Sequence, residues 1–493
     1  MFHRSKICAA VLLAALQSSV FAQDNPAPLR DFFVATHFNR AALKNNKQPQ
    51  WDVDRLIPQI KAMGAWGVRD GTSWSSIEKV KGQYVLPEAD RHWVNQATSA
   101  GLKVIFVLLY DNKLYDNPTD PDAFSNYAAF VARSFKDNPN VVAFEIWNEP
   151  GNFFFRKQYG GEWNAKGEAP WLGKFAELVA KSSAAIKKEN PNVKVIAGPG
   201  VPPPMYHMLE RYPEAFKNLD GLVEHPYTYK YPPEVVAFGG QENLERDGVA
   251  SADDKHSLVS LLKGESDLAE KKTGRRLPVW VTEFGFGTHV KQKKQNLYAG
   301  YTDQAQAAYH ARALIQGLSA GVGAWTVYDF IDDGTDSSNP EHNFGLIRYS
   351  GEPKPAHAAL RNVAQQLGPN WKSLGAAPDS LQAEFDPKIH NGKDPWAGPV
   401  PDPYVITGPQ VYWFQVPDGY VTFVWNAGRI NTELRPPVAS VTYQQSGTPA
   451  SAELVNLCTG EKKSLKLTNT NGQWTVNNVP VGGEPVAVKW NTK

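Results

Sequence analysis

Between about residue 30 and residue 370, short apolar runs alternate with stretches in which apolar residues recur at helical spacing. The runs cover residues 32–36, 67–70, 104–109, 141–147, 193–197, 222–225, 279–282 and 324–328. Between them lie patterns such as Leu56, Ile60 and Met63 before Gly64, and Ala308, Arg312, Ile315 and Leu318 before Gly321. A glycine just past the last periodic residue is a helix stop. Strands that are apolar on both faces, each followed by a helix, belong to a parallel sheet covered by helices. Eight such units predict a closed (β/α)8 TIM-type barrel over residues 23–372, an α/β fold. An open doubly wound sheet is the alternative, but no GxGxxG or Walker loop follows the first run.

After residue 372 the texture changes. Residues 373–410 read as a Pro-rich connecting segment, with Pro387, Pro395, Pro399, Pro401 and Pro403 and no periodicity. Residues 411–493 alternate, as in Val421, Phe423, Trp425 and again Val486, Val488, Trp490, with Gly, Asn and Pro turns between. This pattern predicts a small C-terminal β-sandwich domain packed on the barrel, with an independent sugar-binding module as the second reading.

The first 22 residues have a different character. His3, Arg4 and Lys6 precede an apolar stretch from Ile7 to Leu16, and Val20, Phe21 and Ala22 place small residues at a cleavage boundary. Residues 1–22 are therefore expected to be a Sec-type signal peptide, and the mature protein to be periplasmic or secreted. Its removal takes Cys8 away and leaves Cys458 alone, so no intramolecular disulfide is expected. Lys and Arg number 51 against 50 Asp and Glu, without long runs of one sign. That balance excludes an electrostatic footprint for nucleic acid. No other run is long enough to span a bilayer, so no membrane insertion is expected, and a monomer is. The 15 Trp, 19 Tyr and 23 Phe suit a protein that stacks rings on sugars as well as one that fills a core with them.

In a barrel the side chains that do chemistry project from the carboxyl ends of the strands. The fourth run closes with Trp147, Asn148, Glu149 and Pro150, and the seventh with Thr282, Glu283, Phe284 and Gly285. Two glutamates at one rim are what glycoside hydrolysis needs: a protonated carboxyl for the leaving oxygen and an ionised one for the anomeric carbon.

At these segments the sequence resembles clan A of the glycoside hydrolases, the retaining barrel enzymes. The resemblance implies that Glu149 is the acid/base, Glu283 the nucleophile, and Asn148 a partner of the sugar 2-hydroxyl. It further implies that Arg69 at the end of the second run keeps Glu283 ionised, although pairing with Asp70 is an alternative. His225 and Tyr227 would line the site, and Trp325 would floor the reacting sugar. Within the clan the chain resembles families 39 and 5, including bacterial exopolysaccharide-cleaving relatives. His225-Pro226-Tyr227, Asn343-Phe344-Gly345-Leu346 and Pro353-Lys354-Pro355-Ala356 are similar to family 39, and the Phe-Gly after Glu283 to family 5.

The long segment after Glu149 carries Phe153, Phe154, Phe155, Tyr159, Trp163 and Trp171, read as sugar subsites with Trp74 as a further candidate. Tyr110, Tyr229 and Tyr231 are second-rank candidates. Asp329, Asp332, Asp333, Asp336 and Glu341 follow the eighth run without the spacing of an EF-hand, and no HExxH pair occurs. Loop capping explains these acids, and neither a metal nor another cofactor is expected. The resulting expectation is a retaining, endo-acting hydrolase of β-glycosidic bonds in an extracytoplasmic poly- or oligosaccharide. A transglycosylase, or a polysaccharide-binding protein on the same scaffold, are the alternatives.

Overall fold

The computed structural model describes residues 25–41, 48–152, 154–290, 298–383, 406, 408–430 and 436–492. The expected signal peptide, Phe153 and most of the Pro-rich stretch lie outside them.

Eight strands close a barrel in sequence order: β1 (Leu29–Ala35), β2 (Ala65–Ser73), β3 (Lys103–Leu109), β4 (Val141–Ile146), β5 (Lys194–Gly200), β6 (Gly221–Glu224), β7 (Val279–Phe284) and β8 (Ala324–Val327). All neighbours are parallel, and β1 closes the ring on β8 through the Phe33–Thr326 register. One principal helix follows each strand: α1 (Val53–Ala62), α2 (Glu88–Ser99), α3 (Pro121–Ser134), α4 (Pro170–Glu189), α5 (Pro202–Arg211), α6 (Leu258–Thr273), α7 (Asp303–Ala320) and α8 (Pro355–Leu367).

Alternation along each strand sorts its residues into two cores. Phe33, Ile105, Ala143, Ile196, Val223, Trp280 and Ala324 fill the barrel interior. The Trp280 indole fits because Gly221 and Gly323 flank it; a Cβ on either would come within 2.3 Å of the ring. The outward-facing residues join the helices in a second, larger core.

The C-terminal domain is a sandwich of two antiparallel sheets. A four-stranded sheet has the order β10 (Leu381–Gln382), β13 (Val438–Thr442), β17 (Gln473–Pro480), β16 (Leu467–Thr470). A six-stranded sheet has the order β15 (Lys462–Leu465), β14 (Pro449–Asn456), β18 (Val486–Thr492), β12 (Gly419–Ala427), β11 (Gly408–Val416), β9 (Lys372–Ala376). Part of the segment read as a connection, residues 373–410, therefore contributes strands. β9 is an edge strand of Lys, Ser, Leu, Gly and Ala, and such a strand carries no apolar run to betray it.

The larger sheet is fused to the barrel. Tyr412, Phe414, Phe423 and Trp425 belong to the same core as the barrel helices. Buried Arg312 of α7 binds Glu234 (Nε to Oε1, 2.8 Å) and donates to the carbonyls of Gly428 and Gly483, while Trp425 donates to the same glutamate. A buried ion pair completed by partners from both domains ties their relative placement to fold stability.

Candidate active site

Above the apolar interior of the barrel lies a charged layer. Arg69 of β2, Glu145 of β4 and Thr282 of β7 occupy inward positions two residues beyond Gly67, Ala143 and Trp280. Arg69 grips Glu145 in a bidentate pair, Nε to Oε2 and Nη2 to Oε1, both 2.7 Å. Its remaining donors reach Glu283 Oε1 and Asn148 Oδ1, each at 2.8 Å. Burial alone would lower the Arg69 pKa, but the charges of Glu145 and Glu283 reverse that and raise it. The guanidinium is thus a permanent cation that orients two elements of the rim. Asp70 points to the other side of the strand, accepting from Thr36 Oγ1 (3.3 Å) and the Gly71 amide (2.7 Å), with burial pushing its pKa up to about 7. The alternative pairing of Arg69 with Asp70 is replaced by the pairing across the barrel.

The end of β4 is bent to present its side chains. Trp147 and Glu149 have φ of 68° and 44°, the left-handed region that costs a non-glycine residue about 1–3 kcal/mol. The Trp147 indole anchors the turn, packed against Phe155 with ring centroids 4.8 Å apart. Asn148 is thereby turned toward Arg69 and Glu149 toward β6. Glycine is required at Gly200, whose φ is +72° and whose Cβ would crowd Glu149 and His225 at 3.3–3.4 Å.

Two carboxylates share one end of this layer. Glu283 takes Arg69 on Oε1 and the Tyr227 hydroxyl on Oε2 at 3.2 Å. Glu149 takes Asn152 Nδ2 at 3.0 Å and faces His225 Nδ1 at 2.8 Å. His225 Nδ1 is also 3.7 Å from Glu283 Oε2, and single atoms of Glu149, His225 and Glu283 lie within 4.8 Å of one another. The side chains of Glu149 and Glu283 are 17% and 13% exposed, so a ligand in the cavity can reach both.

The tautomer of His225 follows from its neighbours. The Thr282 hydroxyl donates to Glu145 Oε1 (3.0 Å) and so accepts from His225 Nε2 (3.0 Å). With Nε2 protonated, Nδ1 and Glu149 share the remaining proton. Burial raises the Glu149 pKa, but the hydrogen bond and charge of His225 more than offset this, and the net direction is down. Burial lowers that of His225, and the charge of Glu283 with the bond to Glu149 drives it up. Burial and Glu283 keep the Tyr227 hydroxyl protonated as a donor.

These groups open on a cavity of about 740 Å³, also lined by Asn39, Arg40, Ser73, Ser76, Lys79, Tyr110, Tyr298, Tyr328, Glu341 and Phe344. Of the residues expected at the site, Arg69, Asn148, Glu149, His225, Tyr227 and Glu283 come together. The four tryptophans do not. Trp325 is fully buried, because Ala324 and Thr326 take the inward positions and a one-residue offset turns Trp325 out against Gly317 of α7. Trp74 is buried between Tyr115, Phe124 and Tyr127 and bonded to Glu78. Trp171 is buried under Gly151, its Nε1 donating to the Glu162 carbonyl at 2.9 Å. Trp163 lies against Phe238 and Arg246, away from the cavity lining. An indole with no exposed face cannot stack on a sugar, so the segment after Glu149 serves largely as packing; Phe155 and Tyr159 belong to it as well.

Tyrosines take the place expected of tryptophans. Tyr328, four residues past Ala324, lines the cavity with Tyr110, Tyr227 and Tyr298. Glu145 was also missed in the sequence. Its signal was present: a charge inside Phe144-Glu145-Ile146, where a buried strand should have none unless it is paired.

A (β/α)8 barrel with paired glutamates at the rim ends of β4 and β7 is the arrangement of a clan A glycoside hydrolase. Residues 35–327, more than half of the chain, match the model of the Cellulase family (glycosyl hydrolase family 5). The chain belongs to this family and is a glycosyl hydrolase. Among solved structures it is similar to a family 39 glycoside hydrolase from the gut symbiont Bacteroides cellulosilyticus WH2, at 21% identity and a TM-score of 0.63, over 95% of this chain and 81% of that one. It is also similar to the catalytic domain of GH30 xylanase C from Talaromyces cellulolyticus, at 12% identity and a TM-score of 0.54, over 95% and 98%. At such identities the likeness is one of fold, here spanning barrel and sandwich together. A comparison with curated protein sequences finds no match.

Proposed function

We propose that the protein is a retaining glycosidase acting by double displacement on β-linked poly- or oligosaccharide. The observation that carries this reading is the spacing of Glu149 and Glu283, whose carboxylate oxygens approach within 4.8 Å. A retaining pair stands ~5–5.5 Å apart, whereas an inverting pair needs ~6.5–9.5 Å to admit a water. Glu283, fixed by Arg69 and Tyr227, attacks the anomeric carbon while Glu149 delivers the proton it shares with His225 to the leaving oxygen. The C–O bond to the leaving group breaks as the bond to Glu283 forms. Glu149 then takes a proton from a water whose oxygen bonds the anomeric carbon as the bond to Glu283 breaks, which releases the sugar with its configuration retained and restores both carboxyl groups. With its Oδ1 committed to Arg69, Asn148 offers Nδ2–H to a sugar hydroxyl, and Tyr328 and Tyr298 offer rings to its apolar faces.

Endo action is supported by a lining that continues past the carboxylates to Ser73, Ser76 and Lys79, groups available to a further sugar unit. The site of action is proposed to lie outside the cytoplasm, on the strength of the leader-like first 22 residues. Among the described residues no helix is long and apolar enough to cross a membrane. Incubation with a panel of β-linked polysaccharides, with the anomeric configuration of fresh product read by NMR, tests the reading. Retained configuration and internal cleavage products are expected; inverted product would refute the mechanism, and release of terminal units alone would refute endo action.

A further inference from the structure

The same rim carries a second group of polar side chains that the glycosidase reading does not use. His37 follows β1, and Asp329 and Asp333 follow β8; the Phe330 amide bonds the Ala35 carbonyl at 3.1 Å and holds the two segments together. His37 Nε2 lies 4.0 Å from Asp329 Oδ2 and 4.0 Å from Asp333 Oδ2, and one atom from each of the three lies within 4.8 Å of the others.

What sets this group apart from a capped acidic loop is its unmet polarity. Asp329 is fully buried, and neither carboxylate oxygen has a hydrogen-bond partner among the described residues. Buried His37 Nε2, aimed at the same point, has none either. A buried carboxylate left unbonded is costly, and so is a buried imidazole nitrogen without a partner. The surroundings nevertheless fix His37 and Asp333. The His37 ring is wedged edge-on between Trp51 and Tyr328, with centroids 5.0 Å and 5.9 Å away. Asp333 is oriented by Trp51 Nε1 on Oδ1 (2.8 Å) and by Arg40 on Oδ2 (3.3 Å). Trp51 thus holds the far oxygen of Asp333, as partners of metal-binding side chains do, while Oδ2, the oxygen that faces His37, exchanges its contact with Arg40 for one with a ligand. The neighbouring Asp332 is excluded from the group, being taken by Lys354 Nζ at 2.7 Å and the Gly345 amide at 2.9 Å.

We propose that His37, Asp329 and Asp333 form a binding site for one divalent transition-metal ion, of the Zn²⁺ or Mn²⁺ class, that joins the end of β1 to the loop after β8. One imidazole with two carboxylates favours these ions over Ca²⁺ and Mg²⁺, which prefer oxygen alone. The ion satisfies the orphaned atoms of Asp329 and His37 together. Because Tyr328 precedes Asp329 and lines the cavity, the ion also fixes one wall of the cleft.

Purified full-length protein, stripped with EDTA and dialysed, is titrated calorimetrically with ZnCl₂, MnCl₂ and CaCl₂, and its melting temperature is followed alongside. One equivalent of Zn²⁺ or Mn²⁺ is expected to bind and to raise the melting temperature. Asp329→Asn and His37→Gln are each expected to weaken binding by at least roughly 100-fold, the upper end of what loss of an outer-shell partner costs, since each removes a direct ligand. Glu149→Gln, which alters the other group of His and carboxylates, is expected to bind as the parent does. Absence of binding by the parent protein, preference for Ca²⁺, or loss in Glu149→Gln with retention in the other two variants would each overturn the proposal. Should Asp329→Asn not fold, His37→Gln decides, and parental affinity there overturns it.

Discussion

His225 Nδ1 stands 2.8 Å from Glu149 Oε1, while the other ring nitrogen is held by Thr282. The acid/base is therefore a pair rather than a lone carboxyl, and the pair titrates as a unit. Its last proton leaves at the raised His225 value, above the ordinary imidazole range near 6.5. Replacing His225 with Asn leaves Glu149 to hold the proton alone. The alkaline limb of kcat/KM is then expected to move to lower pH, read from a pH–rate profile; an unmoved limb would mean that His225 does not share the acid's proton.

The same pair governs stability in two pH windows. His225, with its pKa raised on folding, contributes stability that is full below the unfolded value and is lost as pH rises through the folded one. Glu149, with its pKa lowered, contributes stability present above the ordinary carboxylate value and lost as pH falls through the folded one. Denaturant unfolding of the parent and His225→Asn across the alkaline window should show the parent losing its advantage as pH rises.

Arg69 offers a different test. Removing it in Arg69→Met strands Glu145, which is fully buried, and deprives Glu283 of its cation. Breaking a buried pair from one side costs ~3–5 kcal/mol, a loss measurable by urea unfolding. Activity should fall steeply as well, since Glu283 then loses the 2.8 Å contact that positions its Oε1. A variant of parental stability would contradict the bidentate grip on Glu145.

Trp325 and Tyr328 separate packing from ligand contact. Trp325→Ala removes a buried ring and is expected to cost ~3–5 kcal/mol of stability. Trp325→Phe, a milder change, should lower the melting temperature with KM nearly unchanged. Tyr328→Ala should raise KM, with a smaller loss of melting temperature than Trp325→Ala, because its ring is only half-buried against His37 and Phe344. The reverse assignment of these two effects would restore Trp325 as the sugar platform.

The legibility of the sequence divides along physical lines. Parallel strands buried on both faces read as apolar runs, which is why β1 to β8 were recognisable, and a charge closing such a run, as at Glu149 and Glu283, stands out. Facing was less legible. In a strand of four residues, Ala324–Val327, nothing local tells which of two alternating positions looks inward, and the indole of Trp325 drew attention away from Tyr328. Trp74 and Trp171 misled for a related reason: an aromatic side chain near the rim packs into the fold, Trp74 among Tyr115, Phe124 and Tyr127 and Trp171 under Gly151, as readily as it meets a ligand. The charge of Glu145 stood visible inside its run, but its partner Arg69, two strands away, was not. His37 and Asp329 were hidden because barrel closure alone joins the first strand to the last.

The central claim is that Glu283 forms the covalent intermediate. A 2-deoxy-2-fluoro glycoside with a good leaving group, matched to the sugar released from the best polysaccharide substrate, should trap that species. Intact-mass measurement is expected to show one added fluoro-sugar, and peptide mapping to place it on Glu283, with none in Glu283→Gln. An adduct on any other residue, or turnover by the parent enzyme without a trapped species, would contradict the account.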